Sequence, residues 1–574
     1  MSDHARDIVD TAQGAVQGTV SPDGLRIFRG IPFAAPPTGK LRLKRSIPHP
    51  GWDEVLDCTQ YRACSLQPTF PGVDVSAIYP GGLDEDCLHL NVWVPDAASA
   101  KAPLPVYVWI HGGAYTAGSG SEPTYEGSRL AQEGMVVVTV NYRLGALGFM
   151  WPDDGDPNCA LWDQVRALEW VQENIAGFGG DPDSVTIGGE SAGAGCSTCL
   201  VASPIANKLF HRAVIMSTVA QCTDDERTAK IRTAQFIRAL GAASAKATDL
   251  AGFSGMEFVA AQVGIKDEAP DEDFAVAHTT PGWQGPSLPQ LSTGYTPAEA
   301  DGIHYVIPGE ERDSLLGSGF HPVMDGELLP GHPLDLIADG GAAHISILVG
   351  SNREETGFRV NPADSEITAP LTYGAKVDSL DDATRRAHWF FMGWGRLEPL
   401  GGGRAVAANL VNAYYDAEAD GSGAAEKGSP QHVWNRLASD LAFNASTVMV
   451  AARQAMHRED TYVYRFDGFN NRNAFHGWEM GLKFGTILNE SNAEVVKFAR
   501  SMRSAIADFV KTGDPNGSEN VPAWPAWSID DGLNGPVMHF DKAGNHVDGY
   551  QQAAPAIDRV IEVIDTAFPH SSIT

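Results

Sequence analysis

The segment that most constrains the fold is an apolar run followed by a glycine-rich turn, residues 184–200, "SVTIGGESAGAGCSTCL". The apolar run is typical of a strand buried in a parallel sheet, and the small residues after the turn predict a helix packed closely on that sheet. Between them, Ser191 stands in a G-x-S-x-G pentapeptide with Gly189 and Gly193. The pentapeptide alone is weak evidence, but a strand, a sharp turn and a helix together are typical of a nucleophile elbow. We therefore interpret Ser191 as a candidate nucleophile.

Other apolar runs predict further strands of the same sheet. Two precede the elbow, Leu104–Gly113 and Met135–Arg143, and two follow it, His344–Gly350 and Thr461–Phe466. Before the elbow, the segment Leu161–Ile175 carries apolar residues at helical spacing. This alternation of strands and a helix predicts an α/β fold with a mostly parallel central sheet.

The domain organisation follows from what separates these elements. No segment resembles a clean linker between domains, so a single elaborated domain is expected over residues 1–574. Two long stretches rich in Gly, Pro and Asp, Ile265–Leu315 and Asp416–Pro430, are poor material for strands or helices. We predict lid or insertion segments near 265–315 and 380–430.

The charge of the chain excludes several classes of function. With 41 Lys and Arg against 72 Asp and Glu, the formal net charge is −31, which opposes binding to nucleic acid or anionic lipid. No apolar run approaches the roughly 20 residues of a membrane span, and the start of the sequence lacks a signal-peptide pattern, so a cytoplasmic location is expected. The spacings of His, Cys and carboxylate residues do not indicate a zinc site, and no metal or cofactor is expected.

A nucleophilic serine needs a base, and the base needs a carboxylate to orient it. On an α/β-hydrolase sheet these partners follow in chain order, acid and then histidine, each on a loop after a strand. Glu354 and Glu355 follow a predicted strand, with Asp325 as a rival acid. Two histidines lie in loops after plausible strands, His476 and His546. The residues alone therefore leave the acid and the base open.

The remaining requirement is a set of backbone donors for a tetrahedral oxyanion. The segment "WIHGGAYTAGSG", residues 109–120, directly follows the first strong strand, where this fold places such a loop. Its glycines allow the backbone to turn amide groups toward the site. Together with the elbow, this loop favours an ester-cleaving site.

Ordered motifs along nearly the whole chain resemble the type-B carboxylesterase family, which includes cholinesterases and bacterial para-nitrobenzyl esterases. They are "FRGIPFAAPPTGKLR", "DEDCLHLNVWVP", "WIHGGAY", "VNYRLGALGF", the long segment that ends in "TIGGESAGAG", and "VKTGDPNGSENVPAWPAW". The resemblance implies a single α/β-hydrolase domain, with a mostly parallel central sheet, helices on both of its faces, and lid or insertion segments. It also implies a serine carboxylesterase that hydrolyses small-molecule esters through an acyl-enzyme, without a cofactor. It assigns a catalytic triad and three oxyanion-hole donors: Ser191 as nucleophile, Glu355 as acid, His476 as base, and the amides of Gly113, Ala114 and Ala192.

Two alternatives accompany this reading. The same triad could serve a specialised hydrolase of amide, carbamate, lactone or bulky natural-product ester bonds, and the fold also hosts binding proteins that have lost the nucleophile. The second is disfavoured because this chain keeps the whole set of residues. The resemblance also matches Cys64 and Cys87 to positions that form a disulfide in secreted members.

Overall fold

The computed structural model describes most of the 574 residues. The described ranges are 6–69, 74–96, 102–263, 319–356, 377–391, 403–419, 429–468, 474–486, 492–541, 544–550 and 556–567. The predicted lid segment at 265–315 lies outside them.

The described strands form one large twisted sheet. Its thirteen members are β1 Arg6–Thr11, β2 Gly14–Val20, β3 Arg26–Pro32, β4 Leu56–Asp57, β5 His89–Val94, β6 Leu104–Ile110, β7 Val136–Val140, β8 Gly180–Glu190, β9 Arg212–Met216, β10 Ser346–Asn352, β11 Thr461–Gly468, β12 Pro536–Asp541 and β13 His546–Gly549. Their order across the sheet is β1-β2-β3-β5-β7-β6-β8-β9-β10-β11-β12-β13, and β4 pairs with β2.

The sheet has a parallel centre and antiparallel ends. The run from β7 through β6, β8, β9, β10 and β11 to β12 is parallel. Antiparallel pairs join β1, β2, β3, β5 and β7 at one end, and β12 and β13 at the other. Because parallel strands end at the same edge of a sheet, the loops after β8, β10 and β11 meet at one edge.

Helices cover the sheet on both faces. They are α1 Val75–Ile78, α2 Ser128–Ala131, α3 Gly145–Phe149, α4 Cys159–Asn174, α5 Ala192–Ala202, α6 Glu226–Leu240, α7 Ala247–Leu250, α8 Gly255–Val263, α9 Pro333–Ala338, α10 Leu380–Phe391, α11 Gly403–Ala419, α12 Pro430–Ser439, α13 Ala445–Ala455, α14 Met480–Phe484, α15 Ala493–Thr512 and α16 Ile557–Ala567. In the described ranges, no helix combines the length and apolar content needed to cross a membrane.

The core lies on both faces because the central strands alternate between two apolar clusters. On β6, Val106 and Val108 belong to one cluster, whereas Tyr107 and Trp109 belong to the other. A strand buried on both faces reads as a continuous apolar run, which is why these strands were recognisable in the sequence.

The structure confirms the predicted strands and the α/β-hydrolase fold, with small changes in bounds. The region near 380–430, predicted to be a lid or insertion segment, contains α10 and α11 in its described parts, and residues 420–428 lie outside the described ranges. Ala383, Leu410 and Tyr414 of these helices belong to the main core cluster. All seven cysteines, Cys64 and Cys87 among them, are buried free thiols.

Candidate active site

Ser191 occupies the sharp turn between β8 and α5. Its backbone has φ 57° and ψ −125°, a strained conformation for a residue with a Cβ atom. The turn is tight because α5 lies very close to the sheet: a Cβ atom on Gly193 would stand 2.1 Å from the carbonyl oxygen of Ile110. The Ser191 amide donates a hydrogen bond to the carbonyl of Met216 at 3.0 Å, which ties the turn to β9. The predicted elbow is therefore present.

The loop after β6 lies directly against this elbow. A Cβ atom on Gly112 would stand 3.0 Å from the Ser191 Cβ atom. Gly113 and Ala114 have φ angles of 112° and 53°, and a Cβ atom on Gly113 would stand 2.1 Å from the Ala117 carbonyl oxygen. Among the described residues, the amides of Gly113 and Ala114 donate no hydrogen bond. They are therefore free to bind an anionic oxygen.

Ala192 supplies a third amide from the other side of the turn. It is the first residue of α5, and the amides in the first turn of a helix have no intrahelical acceptor. The positive end of the helix dipole at the same point favours negative charge. The loop and the helix thus place three predicted donors around one turn.

Glu355 and His476 contact each other directly. Glu355 follows β10 and His476 follows β11, and the imidazole Nδ1 lies 2.7 Å from the carboxylate Oε2 of Glu355. The other oxygen, Oε1, accepts hydrogen bonds from the Ser217 hydroxyl at 2.6 Å and the Asn352 amide at 2.7 Å. Glu355 is 1% exposed, so these bonds hold a buried carboxylate in one orientation.

The other imidazole nitrogen faces the elbow. Nε2 of His476 lies 3.2 Å from Oε1 of Glu190, the residue before Ser191. Within the described chain, neither of these two atoms makes a hydrogen bond of good geometry. No hydrogen bond joins the Ser191 hydroxyl to His476 among the described contacts. The structure therefore places the histidine beside the serine turn, with Nε2 facing the Glu190 carboxylate and not hydrogen-bonded to Ser191.

An aromatic ring covers the imidazole. The ring centre of Phe443 lies 4.3 Å from that of His476, with 35° between the planes. Phe443 belongs to a π-helical turn, Asp440–Asn444, which joins α12 to α13, and the Ala445 amide closes it on the carbonyl of Asp440. Such wide turns are rare and occur often at functional sites.

Charge and burial set the proton affinities of this cluster. Burial lowers the pKa of His476, but the carboxylates of Glu190 and Glu355 act in the opposite direction and raise it to about 9. Burial raises the pKa of Glu190 to about 7, against the opposing effect of His476. A perturbed histidine and a perturbed carboxyl group side by side are typical of catalytic sites.

The rival candidates for the acid and the base make their contacts elsewhere. Oδ2 of Asp325 accepts from the Asn158 side chain at 2.8 Å, and its Oδ1 accepts from the Leu329 amide at 2.9 Å. Glu354 pairs with neighbouring Arg353 at 3.4 Å. His546 is half exposed on β13, 3.7 Å from Asp548. Among the described residues, no hydrogen bond or ion pair joins any of these three to His476.

Sequence reasoning missed several residues of this cluster, among them Glu190 and Ser217. Glu190 is a variable position of the G-x-S-x-G pattern, which assigns it no role, although an acid beside a candidate nucleophile is itself a signal. Ser217 follows β9 in "IMSTV", where nothing in the spacing indicates a role. The described residues contain no group of His, Cys, Asp or Glu that could hold a metal ion.

Comparison with known proteins identifies the class of protein. The family model described as "Carboxylesterase family" matches residues 5–278 and 296–556. A para-nitrobenzyl esterase of Bacillus subtilis is 31% identical over 91% of this chain and 92% of its own length, and a phenmedipham hydrolase of Pseudarthrobacter oxydans is 31% identical over 92% and 94%. A solved para-nitrobenzyl esterase structure superposes with a TM-score of 0.73 at 28% identity, over 97% of this chain and all of the other.

The chain belongs to the carboxylesterase family. It is a serine hydrolase of carboxylic esters, and its substrates are small-molecule esters. The resemblance seen in the sequence motifs is thereby confirmed.

Proposed function

We propose that Ser191, His476 and Glu355 are the catalytic triad of this esterase. The observation that carries the proposal is the 2.7 Å contact between His476 Nδ1 and Glu355 Oε2, beside a serine held in a strained elbow. Glu355 fixes the ring so that Nε2 accepts the proton, and Nε2 has no competing hydrogen bond in the described chain. The geometry supports Glu355 over Asp325 and His476 over His546.

The reaction proceeds as two acyl transfers. Nε2 of His476 removes the Ser191 hydroxyl proton while the hydroxyl oxygen attacks the ester carbonyl carbon. The carbonyl electron pair moves onto oxygen, where the amides of Gly113, Ala114 and Ala192 stabilise the negative charge. The intermediate then expels the alcohol, which takes the proton from His476, and water repeats both steps on the acyl-enzyme.

A burst experiment tests the nucleophile. The wild type should release one equivalent of para-nitrophenol per enzyme before steady turnover of a para-nitrophenyl ester, and Ser191→Ala should lose the burst and about 10⁴- to 10⁶-fold of kcat. Ser197→Ala is a matched control, because the one partner of the Ser197 hydroxyl among the described residues is the Gly193 carbonyl in the same helix, at 2.8 Å. This control should keep the burst. A burst that persists in Ser191→Ala would show that another group is acylated.

We also propose that the site cleaves esters in preference to amides. A matched pair of ester and amide with one acyl group tests this preference, because an amide hydrolase would also turn over the amide.

We further propose that residues 1–574 form a single domain. This proposal is supported by the central sheet, whose strands come from Arg6 to Gly549. Limited proteolysis that released a stable, separately folding fragment would contradict the single domain.

A further inference from the structure

One buried cation beneath the site has no part in the two acyl transfers. Lys483 lies on α14, and the residue is only 2% exposed. Lysine is among the residues least often fully buried, and a buried ammonium is stable only when it is paired. The groups paired with Lys483 therefore indicate its role.

Lys483 joins three elements below the active-site edge of the sheet. Its Nζ atom donates to the Tyr464 hydroxyl on β11 at 2.7 Å and to Oε1 of Glu479 at 3.2 Å. It also lies 3.4 Å from the sulfur atom of Met216, the last residue of β9. Met216 precedes Ser217 and accepts the Ser191 amide, so the ammonium touches the strand that supports both residues.

Glu479 connects this lysine to the proposed triad. Oε2 of Glu479 accepts a hydrogen bond from the Asn352 side chain at 2.6 Å. The same Asn352 donates its backbone amide to Glu355 and its side chain to the carbonyl of Phe475, next to His476. A continuous path of hydrogen bonds therefore runs from Lys483 to both Glu355 and His476.

Without Lys483, the charged groups around this path would be mainly carboxylates. Three carboxylates surround His476: Glu190 from β8, Glu355 after β10, and Glu479 before α14, and they are 5%, 1% and 0% exposed. Lys483 faces Glu479 and the Tyr464 hydroxyl directly, and Glu190 and Glu355 act on it from farther away. Burial lowers the pKa of Lys483, while the Glu479 carboxylate opposes this and favours the ammonium form.

We infer that Lys483 is a positioning residue of the esterase, whose ammonium anchors Glu479 and offsets part of the negative charge that surrounds His476. The inference rests on the proposed role of His476 as the general base. The anchored Glu479 holds Asn352, which in turn holds the carboxylate that orients the imidazole. The positive charge of Lys483 partly offsets the three carboxylates, so the pKa of His476 is lower than the carboxylates alone would make it. The base therefore stays in its neutral, proton-accepting form to a lower pH.

The sign of the effect follows from this arrangement. Carboxylates raise the pKa of His476, whereas a nearby ammonium lowers it. Removing the ammonium should therefore raise the pKa of His476 and move the acidic limb of the kcat/KM profile to higher pH. Removing the Glu479 charge should move the limb to lower pH, and removing both should nearly restore it.

The test compares Lys483→Met, Glu479→Gln and the double variant by two readouts. The acidic midpoint of kcat/KM should rise by about one pH unit in Lys483→Met, fall by a similar amount in Glu479→Gln, and stay near the wild-type value in the double variant. The second readout is the NMR titration of ¹³C-labelled histidine, with the His476 signal assigned by its loss in His476→Gln. The midpoint of this titration should shift in the same direction as the acidic midpoint of kcat/KM in each variant.

The two readouts separate this inference from the proposed function. No shift of either midpoint in folded Lys483→Met would overturn the role of Lys483. A shift of the His476 titration without a shift of the acidic limb would retain the effect of Lys483 and refute His476 as the base. If Lys483→Met does not fold, Lys483→Gln keeps a donor for Tyr464 and Glu479 without the charge, and the same upward shift is expected.

Discussion

The two carboxylates that face the two nitrogens of His476 are held in different ways. Glu355 contacts Nδ1 and accepts hydrogen bonds from Ser217 and Asn352, so its orientation is fixed from three sides. Glu190 faces Nε2, but its Oε1 atom makes no hydrogen bond in the described chain, and burial raises its pKa to about 7. One glutamate is therefore built to orient the ring, and the other to change its proton affinity.

The largest effect is expected from changing Glu355, which orients the imidazole ring. In Glu355→Gln, the side-chain amide can donate to Nδ1, which would favour the wrong tautomer and place the proton on Nε2. We expect kcat to fall about 10³- to 10⁴-fold with the fold retained, measured by steady-state kinetics and circular dichroism. Asp325→Asn is the matched control and should keep most of the activity. A larger loss in the control would make Asp325 the acid.

Changing Glu190, which faces Nε2 of His476, should shift the pH dependence of kcat/KM. Glu190 raises the pKa of His476, and the base acts in its neutral form, so activity is lost as pH falls through that pKa. Glu190→Gln removes the charge and should move the acidic limb of kcat/KM to lower pH by about one unit. An unchanged or higher midpoint would show that Glu190 does not act on the free base.

The smallest effect is expected from removing one of the hydrogen bonds that hold Glu355. Ser217→Ala removes one of two supporting donors, and a hydrogen bond to a carboxylate of this kind corresponds to a roughly tenfold loss of kcat. Ser217 has φ 53°, where glycine is unstrained, so Ser217→Gly removes the hydroxyl without backbone strain. Equal losses in both variants would assign the effect to the hydroxyl. A loss in Ser217→Ala alone would assign it to the backbone.

The sequence predicted those parts of the fold that carry a local pattern. Five of the seven parallel strands, β6, β7, β8, β10 and β11, were recognisable because burial on both faces requires continuous Val and Ile, and the elbow was recognisable because its turn requires small residues. The antiparallel strands β1 to β3 were not identified. Buried and partly exposed side chains are mixed in β1 and β2, and Arg26 and Arg29 interrupt the apolar run of β3, so their patterns are weaker.

The candidate site was predicted only to the level of its loops. Strand ends indicated where an acid and a base should lie, but spacing could not choose Glu355 over Asp325, and the family resemblance made that choice. Lys483 was not noticed, since a lysine in "GLKFG" is usually solvated. Its role depends on burial and on partners distant in sequence, which only the three-dimensional structure brings together.

The π-helical turn that carries Phe443 makes the site sensitive to the number of residues in a helix. A π-turn contains one residue more than the α-turn it replaces, and each residue of an α-helix rotates the following side chain by about 100°. Deleting one residue from Asp440–Asn444 would restore regular winding and rotate Phe443 away from His476. Loss or gain of a single codon there is thus a more drastic genetic change for this enzyme than most substitutions of the same residues.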